Sequence, residues 1–295
     1  MQTTVPAPRK NNQALVLAAL IALYFIWGST YLAIRYAVVD FPPFMAGAIR
    51  FLIAGAALYA ILRARGTPAP TRAEWGGAAR VGALLLGGGM GGVMTAEHMG
   101  VASGLAAIFP AATPLLVALF GGLWGLWPRR TEWLGLLVGF VGVILLSLEG
   151  SLRSNPVATL ILALAPTCWS LGTAWSRHLK IPHGLMSSAA EMLAGGVVLL
   201  LMSLVTGERL THVPGLESVL ALAYLTVFGS LIAYSAFTFL LDNVRPALAT
   251  SYAYVNPVVA VLLGVGLAGE HITVYALVAL PVILLGVGLV AMARR

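Results

Sequence analysis

Long apolar stretches separated by short polar connections run through the whole chain. Each stretch holds about 17–25 mostly apolar residues, the length that an α-helix needs to cross a bilayer. A transmembrane β-barrel would instead show stretches of about 10 residues with alternating polarity. The pattern therefore predicts ten membrane-spanning helices, at 14–34, 43–62, 80–98, 102–126, 133–149, 157–176, 184–206, 216–240, 246–268 and 273–293.

The fourth and ninth predicted helices share an internal pattern. Residues 103–127 and 246–270 both have small residues in their first turns and a tail rich in Gly and Leu, and Pro114 of the first aligns with Pro257 of the second. Shorter echoes join 27–30 to 169–173, 50–55 to 191–195, and 141–144 to 285–288. Matches half a chain apart indicate that the gene was duplicated.

An odd number of helices in each repeat determines its orientation. Five crossings leave the chain on the opposite side, so the second repeat enters the membrane inverted relative to the first. Inverted repeats are typical of alternating-access carriers, which bind their cargo near the midplane. The predicted fold is an all-α polytopic membrane protein, with ten transmembrane helices in two inverted five-helix repeats around a central cavity. The predicted divisions are a tail at 1–13, repeats at 14–149 and 157–295, and an extracytoplasmic linker at 150–156.

The composition excludes a water-soluble fold. Of 295 residues, 60% are hydrophobic and 9% are charged, and the mean hydropathy is +0.94. Soluble domains carry about 25% charged residues. Cys168 is the single cysteine, so neither an intramolecular disulfide nor a metal–cysteine cluster can form. We expect no cofactor and no metal, and the lack of a nucleophile or metal constellation argues against a membrane-embedded enzyme.

The net charge of +7 is explained by topology rather than by nucleic-acid binding. If the N-terminus is cytoplasmic, the opposite side holds only Arg35, Arg153 and Arg209, whereas Arg50 lies within a span. The cytoplasmic side then holds Arg9, Lys10, Arg63, Arg65, Arg72, Arg80, Arg129, Arg130, Arg177, Lys180, Arg245, Arg294 and Arg295. By the positive-inside rule we expect both termini on the cytoplasmic side of a bacterial inner membrane.

Ionisable residues inside a bilayer are costly and are therefore functional candidates. Arg50 and Glu97 lie at comparable depth in the second and third helices, so they can pair; alternatively, Arg50 meets a substrate carboxylate or belongs to an outer gate. Glu191 is the counterpart of Arg50 in the second repeat, with Arg245, Arg177 or Lys180 as expected partners. His98 can exchange protons near neutral pH or simply bind at the membrane interface.

Aromatic and flexible side chains at mid-depth indicate the kind of cargo. A cavity with such walls suits a small zwitterion with an apolar or aromatic side chain, although ordinary helix packing also explains many of these residues. The candidate cavity residues are Trp27, Tyr31, Met90, Met94, His98, Trp169, Thr173, Tyr234, Tyr252 and Asn256.

Glycine and proline mark candidate hinges and packing faces. Gly88, in a glycine-rich part of the third helix, is either a hinge or a site of close packing. Pro114 and Pro257 are predicted to kink their helices. The glycines at 135, 139 and 142 form a small-residue face, which packs either within the fold or between protomers.

The order of these features resembles the drug/metabolite transporter superfamily in its EamA-type branch. The resemblance rests on the Trp-Gly-Ser sequence at 27–29, the Arg-Phe pair at 50–51, the two proline helices and the Gly-Glu pair at 269–270. It spans essentially the whole chain, but the first half has Trp127-Pro128 where a Gly-Glu pair is expected. Within the branch, the chain is most similar to YddG-type exporters of aromatic and neutral amino acids.

The resemblance and the repeats together predict a carrier that exports amino acids or related small metabolites by alternating access. The cavity is expected between the first, third, fourth, sixth, eighth and ninth helices. The alternatives are an efflux carrier of the same fold with a drug-like or other cargo, or a channel. The expected partners are a small-molecule substrate and the lipid bilayer; a monomer suffices, and a homodimer is compatible with the packing faces.

Overall fold

The computed structural model describes residues 10–101, 109–147, 156–259 and 274–292. Within these ranges every regular element is a helix, which confirms the predicted all-α class for this part of the chain. We number the helical segments in chain order as α1 (Lys10–Asp40), α2 (Pro43–Ala64), α3 (Arg72–His98), α4 (Phe109–Gly122), α5 (Arg130–Ser147), α6 (Pro156–Ser176), α7 (Leu185–Val205), α8 (Leu216–Asn243), α9 (Pro246–Ala249, continuing over 252–259) and α10 (Val274–Met292).

Six of these segments are long and apolar enough to cross a membrane, namely α1, α2, α3, α6, α7 and α8. Shorter apolar helices occur in α4 and α10. The protein is therefore a polytopic helical membrane protein. The start of the predicted fourth helix, the linker, and the end of the ninth helix with the pair at 269–270 lie outside the described residues.

The predicted start of the third helix was wrong by two turns. The helix begins at Arg72 rather than at Arg80, because a capping box forms before it. The Thr71 hydroxyl accepts a hydrogen bond from the Glu74 amide at 3.3 Å, and the Glu74 carboxylate accepts one from the Thr71 amide at 2.6 Å. These bonds satisfy amides that a helix start leaves open, so a polar sequence can continue the apolar helix.

The main helix contacts join the first half of the chain to the second. Helix α2 packs along α7 and α5 packs along α10, while α1 packs on α8 and α3 packs on α6. If each helix is replaced by its counterpart five places along the chain, the α1–α8 contact becomes the α3–α6 contact and the reverse. The α2–α7 and α5–α10 contacts are unchanged by the same replacement.

Glycines allow the closest of these helix approaches. A methyl group at Gly55 of α2 would lie 2.9 Å from the Leu193 amide nitrogen of α7. In the same contact, a methyl group at Gly196 would lie 3.0 Å from the Leu52 amide nitrogen. The predicted glycine face of α5 packs within the chain, since Gly135 approaches the Gly286 carbonyl of α10. That face is therefore not free to pair protomers.

Helices α3 and α8 both contain eight-residue π-helical stretches, at Ala83–Met90 and Leu225–Ile232. Long π-helical turns are rare and concentrate at functional sites. Gly88 lies in the first stretch, where an added methyl group would meet Cys168 of α6 at 2.8 Å. Within the described parts of their helices, neither candidate proline lies at the main irregularity. Pro114 follows a 3₁₀ turn in the first turn of the α-helical part of α4, and the break in α9 falls at 250–251, before Pro257.

Candidate functional site

A cavity lies between the middle parts of α1, α3, α4, α6 and α9. It contains about 490 Å³ of empty space, including its open mouth. The lining residues are Trp27, Thr30, Tyr31, Ile34, Gly89, Met90, Val93, Pro110, Thr113, Ala165, Pro166, Trp169, Tyr252 and Asn256. None of these described lining residues carries a charge. The cavity thus offers aromatic and apolar walls with a few neutral polar groups.

A cluster of aromatic rings forms one side of this cavity. The Trp27 ring lies 5.5 Å from that of Trp169 and 4.7 Å from that of Tyr252, edge to face in both cases. Phe237 of α8 packs against all three rings. The Trp27 indole nitrogen donates a hydrogen bond to the Gly229 carbonyl at 3.0 Å, which fixes the ring on the π-helical stretch of α8. We call these four side chains, Trp27, Trp169, Phe237 and Tyr252, the aromatic floor.

Buried polar groups face the cavity without a hydrogen-bond partner among the described residues. Neither the nitrogen nor the oxygen of the Asn256 side chain has a hydrogen-bond partner among these residues, although the amide lies beside the Tyr31 hydroxyl. The Trp169 indole nitrogen, beside the Tyr252 hydroxyl, is in the same position. A buried polar group without a partner costs free energy. These atoms can therefore bind a polar group of a ligand.

Six of the ten candidate cavity residues line the cavity, and the other four do not. Met94 is fully buried in apolar packing. His98 lies beyond the cavity, with its Nδ1 3.0 Å from the Val38 carbonyl. The Thr173 hydroxyl donates to the Trp169 backbone carbonyl one turn earlier on α6, at 2.8 Å. Tyr234 packs against Trp169 from the far side.

The ion pair suggested between Arg50 and Glu97 does not form. Arg50 is fully buried and donates from Nε to the Ser230 hydroxyl at 2.7 Å, and its guanidinium lies 4.6 Å from the Phe51 ring centre. Its Nη1 has no hydrogen-bond partner among the described residues. Arg50 and Glu97 lie at a similar depth along their helices, but the Arg50 side chain points towards α8. It sits directly behind the cavity wall, since a methyl group at Gly229 would touch both Arg50 and Thr30.

The partners suggested for Glu191 were also wrong. Its carboxylate accepts hydrogen bonds from the Ser187 and Tyr234 hydroxyls, each at 2.6 Å. Arg245, one of the expected partners, instead forms a two-pronged ion pair with Glu132 at the start of α5. Arg177, another, donates to the carbonyls of Leu241 and Val244 at 2.5 and 2.9 Å.

These basic contacts lie at the end of the bundle where α1 begins, which we call the N-terminal end. Helix α8 runs antiparallel to α1, because Asp40 at the end of α1 accepts from the Gly215 amide just before α8, at 2.7 Å. The end of α8 therefore lies beside the start of α1. The Glu132–Arg245 pair thus ties α5 to α9 on the far side of the aromatic floor from Ile34.

Several cavity residues escaped the sequence reasoning, although a helical stripe could have revealed them. Thr30 and Ile34 lie three and seven positions after Trp27, so they share its face of α1. Val93 follows Met90 by three positions on α3. Pro166 precedes Trp169 by three positions on α6. Selecting residues by chemical interest alone missed the small and β-branched members of each stripe.

Comparison with known proteins identifies the family. The model of the EamA-like transporter family matches this chain twice, over residues 14–148 and 157–292. The Escherichia coli K12 protein described as an uncharacterized inner membrane transporter, YedA, is 46% identical over 279 residues, covering 95% of this chain and 91% of YedA. The uncharacterized transporter YoaV of Bacillus subtilis is 24% identical, covering 88% and 90% of the two chains.

A solved crystal structure of a protein shares the fold. It superposes with a TM-score of 0.77 at 23% sequence identity and covers 98% of this chain and all of the other. At that identity the likeness concerns the fold alone. The two family matches span nearly all of the chain and fall on its two halves. The protein therefore belongs to the EamA-like transporter family, and it is a membrane transporter rather than an enzyme.

Proposed function

We propose that this protein exports neutral and aromatic amino acids, or closely related small metabolites, by alternating access. The observation that carries the proposal is the aromatic cavity between the two halves of the chain. Its described lining residues are uncharged, and the Asn256 amide in its wall has no hydrogen-bond partner among the described residues. Ligand sites combine an apolar lining with a few polar groups that fix orientation. An amino acid with an apolar side chain matches both features.

The polar groups suit the backbone of an amino acid. The Asn256 amide offers an acceptor for an ammonium group and a donor for a carboxylate. The Trp169 indole N–H can donate to the same carboxylate. No carboxylate side chain lies among the described lining residues, which argues against a cationic drug as the preferred cargo.

Alternating access is supported by how the halves pack. The contacts of α1 with α8 and α3 with α6 exchange between halves, as two inverted repeats would require. The cavity extends from the aromatic floor towards Ile34, and the floor and the Glu132–Arg245 pair lie between it and the N-terminal end. With both termini in the cytoplasm, as the basic residues favour, this is the outward-facing state. YedA is described as an inner membrane transporter, and we place this protein in the same membrane.

Ligand-dependent stabilisation of the purified protein tests the cargo. A ligand that binds only the folded state raises the melting temperature, and the stabilisation grows with the logarithm of the ligand concentration relative to Kd. We expect L-phenylalanine, L-tryptophan or L-leucine to raise the melting temperature in detergent, and L-lysine and ethidium to leave it unchanged. Stabilisation by ethidium alone would contradict the amino-acid assignment and favour a drug-efflux carrier.

Asn256→Ala should weaken cargo binding without unfolding the protein. The variant removes polar atoms that have no hydrogen-bond partner among the described residues, so we expect stability to change little. Losing one or two hydrogen bonds to a charged group of the cargo costs about 1.5–3 kcal/mol each, or at least about tenfold in affinity. The readout is the half-saturating amino-acid concentration in proteoliposomes.

Asn243→Ala is the matched control for this prediction. Asn243 lies at the end of α8 and donates to the Phe239 carbonyl at 2.8 Å, away from the cavity. This control should keep the half-saturating concentration of the unmodified protein. Equal affinities in Asn256→Ala and the unmodified protein would remove Asn256 from the binding site.

A further inference from the structure

Glu191 is a buried carboxylate for which the cavity provides no role. It lies in the second turn of α7 and is 2% exposed. Its hydrogen-bond partners are the Ser187 hydroxyl on the same helix and the Tyr234 hydroxyl on α8. In the described part of the chain, no Lys, Arg or His nitrogen lies within ion-pair distance of it. A carboxylate held in a membrane by hydroxyls alone requires an explanation.

Hydroxyl partners allow this group to exist in either protonation state. A serine or tyrosine hydroxyl can donate to a carboxylate, or accept from a protonated carboxylic acid. An arginine partner would instead favour the charged form at all working pH values. The surroundings of Glu191 therefore suit a group that binds and releases a proton during its working cycle.

Tyr234 connects this carboxylate to the aromatic floor. The Tyr234 ring lies 6.4 Å from the Trp169 ring, edge to face, and 6.2 Å from that of Phe237. Its hydroxyl reaches Glu191 on the other side. A change in the strength of this hydrogen bond thus acts directly on the side chains that close the cavity.

We propose that Glu191 is the proton-binding site that couples cargo export to the proton gradient, with one proton moving inward for each cargo molecule moved outward. This proposal rests on the proposed function. The ionised carboxylate makes charge-assisted hydrogen bonds, which hold α8 against α7 and keep the floor closed. Protonation from the outer side leaves weaker neutral bonds, so the floor opens towards the cytoplasm. The proton then passes to cytoplasmic water, the carboxylate is restored, and cargo binding returns the carrier to the outward-facing state.

Among the charged groups on α7 and on the helices packed against it, we assign the proton binding to Glu191. Arg50 on α2 holds α8 through Ser230, one turn before Tyr234, and an arginine stays charged at working pH. On α8, Tyr234 is the hydrogen-bond donor, and the exposed Asp242 acts on Glu191 as a like charge. The remaining ionisable side chains of Asp, Glu, Lys, Arg and His on the packed helices are Glu217 on α8, Arg63 on α2, and Arg72, Glu74, Arg80, Glu97 and His98 on α3.

Gradient-driven uptake tests the coupling. Labelled L-phenylalanine is the probe, in proteoliposomes with an interior one pH unit more acidic than the outside and with zero membrane potential. One unit corresponds to about 1.36 kcal/mol, so one-for-one exchange accumulates the probe up to about tenfold. We expect Glu191→Gln to lose this accumulation but to keep exchange of labelled for unlabelled phenylalanine at equal pH. Glu217→Gln, which changes an exposed carboxylate, should behave as the unmodified protein.

A second readout does not depend on the cargo. Because Tyr234 packs on Trp169, protonation of Glu191 should change tryptophan fluorescence during a pH titration of the purified protein. The transition should vanish in Glu191→Gln and persist in Glu217→Gln. If phenylalanine is not transported but this pattern holds, the proton site stands and the amino-acid cargo is wrong. An unchanged titration, or full gradient-driven accumulation in Glu191→Gln, would overturn the proposal.

If Glu191→Gln does not fold, the Tyr234→Phe variant tests the coupling instead. This variant keeps the carboxylate and the ring but removes the hydrogen bond between them. We expect gradient-driven accumulation to fall at least about fivefold, since a coupling of 1 kcal/mol corresponds to roughly that factor. Exchange at equal pH should persist. Unchanged accumulation in this variant would show that the carboxylate does not act through the floor.

Discussion

Trp27→Ala is expected to lower the rate of transport per folded molecule by at least about tenfold, because it removes the centre of the aromatic floor. Trp27 lines the cavity, packs against Trp169, Phe237 and Tyr252, and donates to Gly229 of α8. Truncation leaves a void of indole size between the two halves of the chain. It also removes a wall that the cargo contacts. Uptake of labelled phenylalanine, normalised to folded protein, is the measurement.

A graded series separates the roles of Trp27. Trp27→Phe keeps the ring contacts and loses the hydrogen bond to the Gly229 carbonyl, which is worth about 0.5–1.5 kcal/mol, so transport should fall only a few-fold. Trp127→Ala, which removes a tryptophan that is 57% exposed, should transport normally. If Trp27→Ala transports as well as Trp127→Ala, the floor is only packing and the cavity is not the route of the cargo.

Gly286→Ala should destabilise the protein, whereas Gly288→Ala on the same helix should not. A methyl group at Gly286 would overlap the Gly139 amide nitrogen and lie 2.8 Å from the Gly135 carbonyl oxygen of α5. Both are backbone atoms, so relief requires α5 and α10 to separate. Overpacking of this kind costs about 1–3 kcal/mol or more, which exceeds the gain of up to about 1 kcal/mol from replacing a helical glycine by alanine.

The two glycines form a matched pair because they share a helix and differ in their surroundings. No described atom lies within 4 Å of a methyl group placed at Gly288. We expect Gly288→Ala to keep or slightly raise the melting temperature in detergent, and Gly286→Ala to lower it by several degrees. Equal melting temperatures would mean that α5 and α10 do not pack in the way the structure shows.

Periodicity and length predicted the helical architecture well, because both depend on local sequence. Apolar stretches of bilayer length marked the helices, and the polar residues before Arg80 were misread only because the Thr71–Glu74 capping box lies in them. The two matches of the family model divide the chain near the predicted linker. An internal repeat is detected by comparing one part of a sequence with another, and this comparison needs no knowledge of contacts.

Partner choice inside the bundle could not be predicted in the same way. Arg50 and Glu97 share a depth, but the rotation of α2 turns Arg50 towards Ser230 of α8. In the same way, Glu191 binds Tyr234 of α8. Arg245 and Arg177, two of the cations expected to bind Glu191, instead bind Glu132 and the end of α8. Helical periodicity fixes which residues of one helix share a face, but not which other helix that face meets. Six candidate residues on four helices do meet at the cavity, but the partners expected for Arg50 and Glu191 on other helices were wrong.

The most direct test of amino-acid transport by alternating access is counterflow in proteoliposomes. Unlabelled phenylalanine, leucine or tryptophan is loaded inside, and uptake of the labelled amino acid is followed at equal pH and zero membrane potential. An alternating-access carrier predicts a transient accumulation of label above its equilibrium level, which should be reduced in Trp27→Ala and retained in Trp127→Ala. Label that only rises to equilibrium, with a rate that does not saturate, would contradict alternating access and indicate a channel.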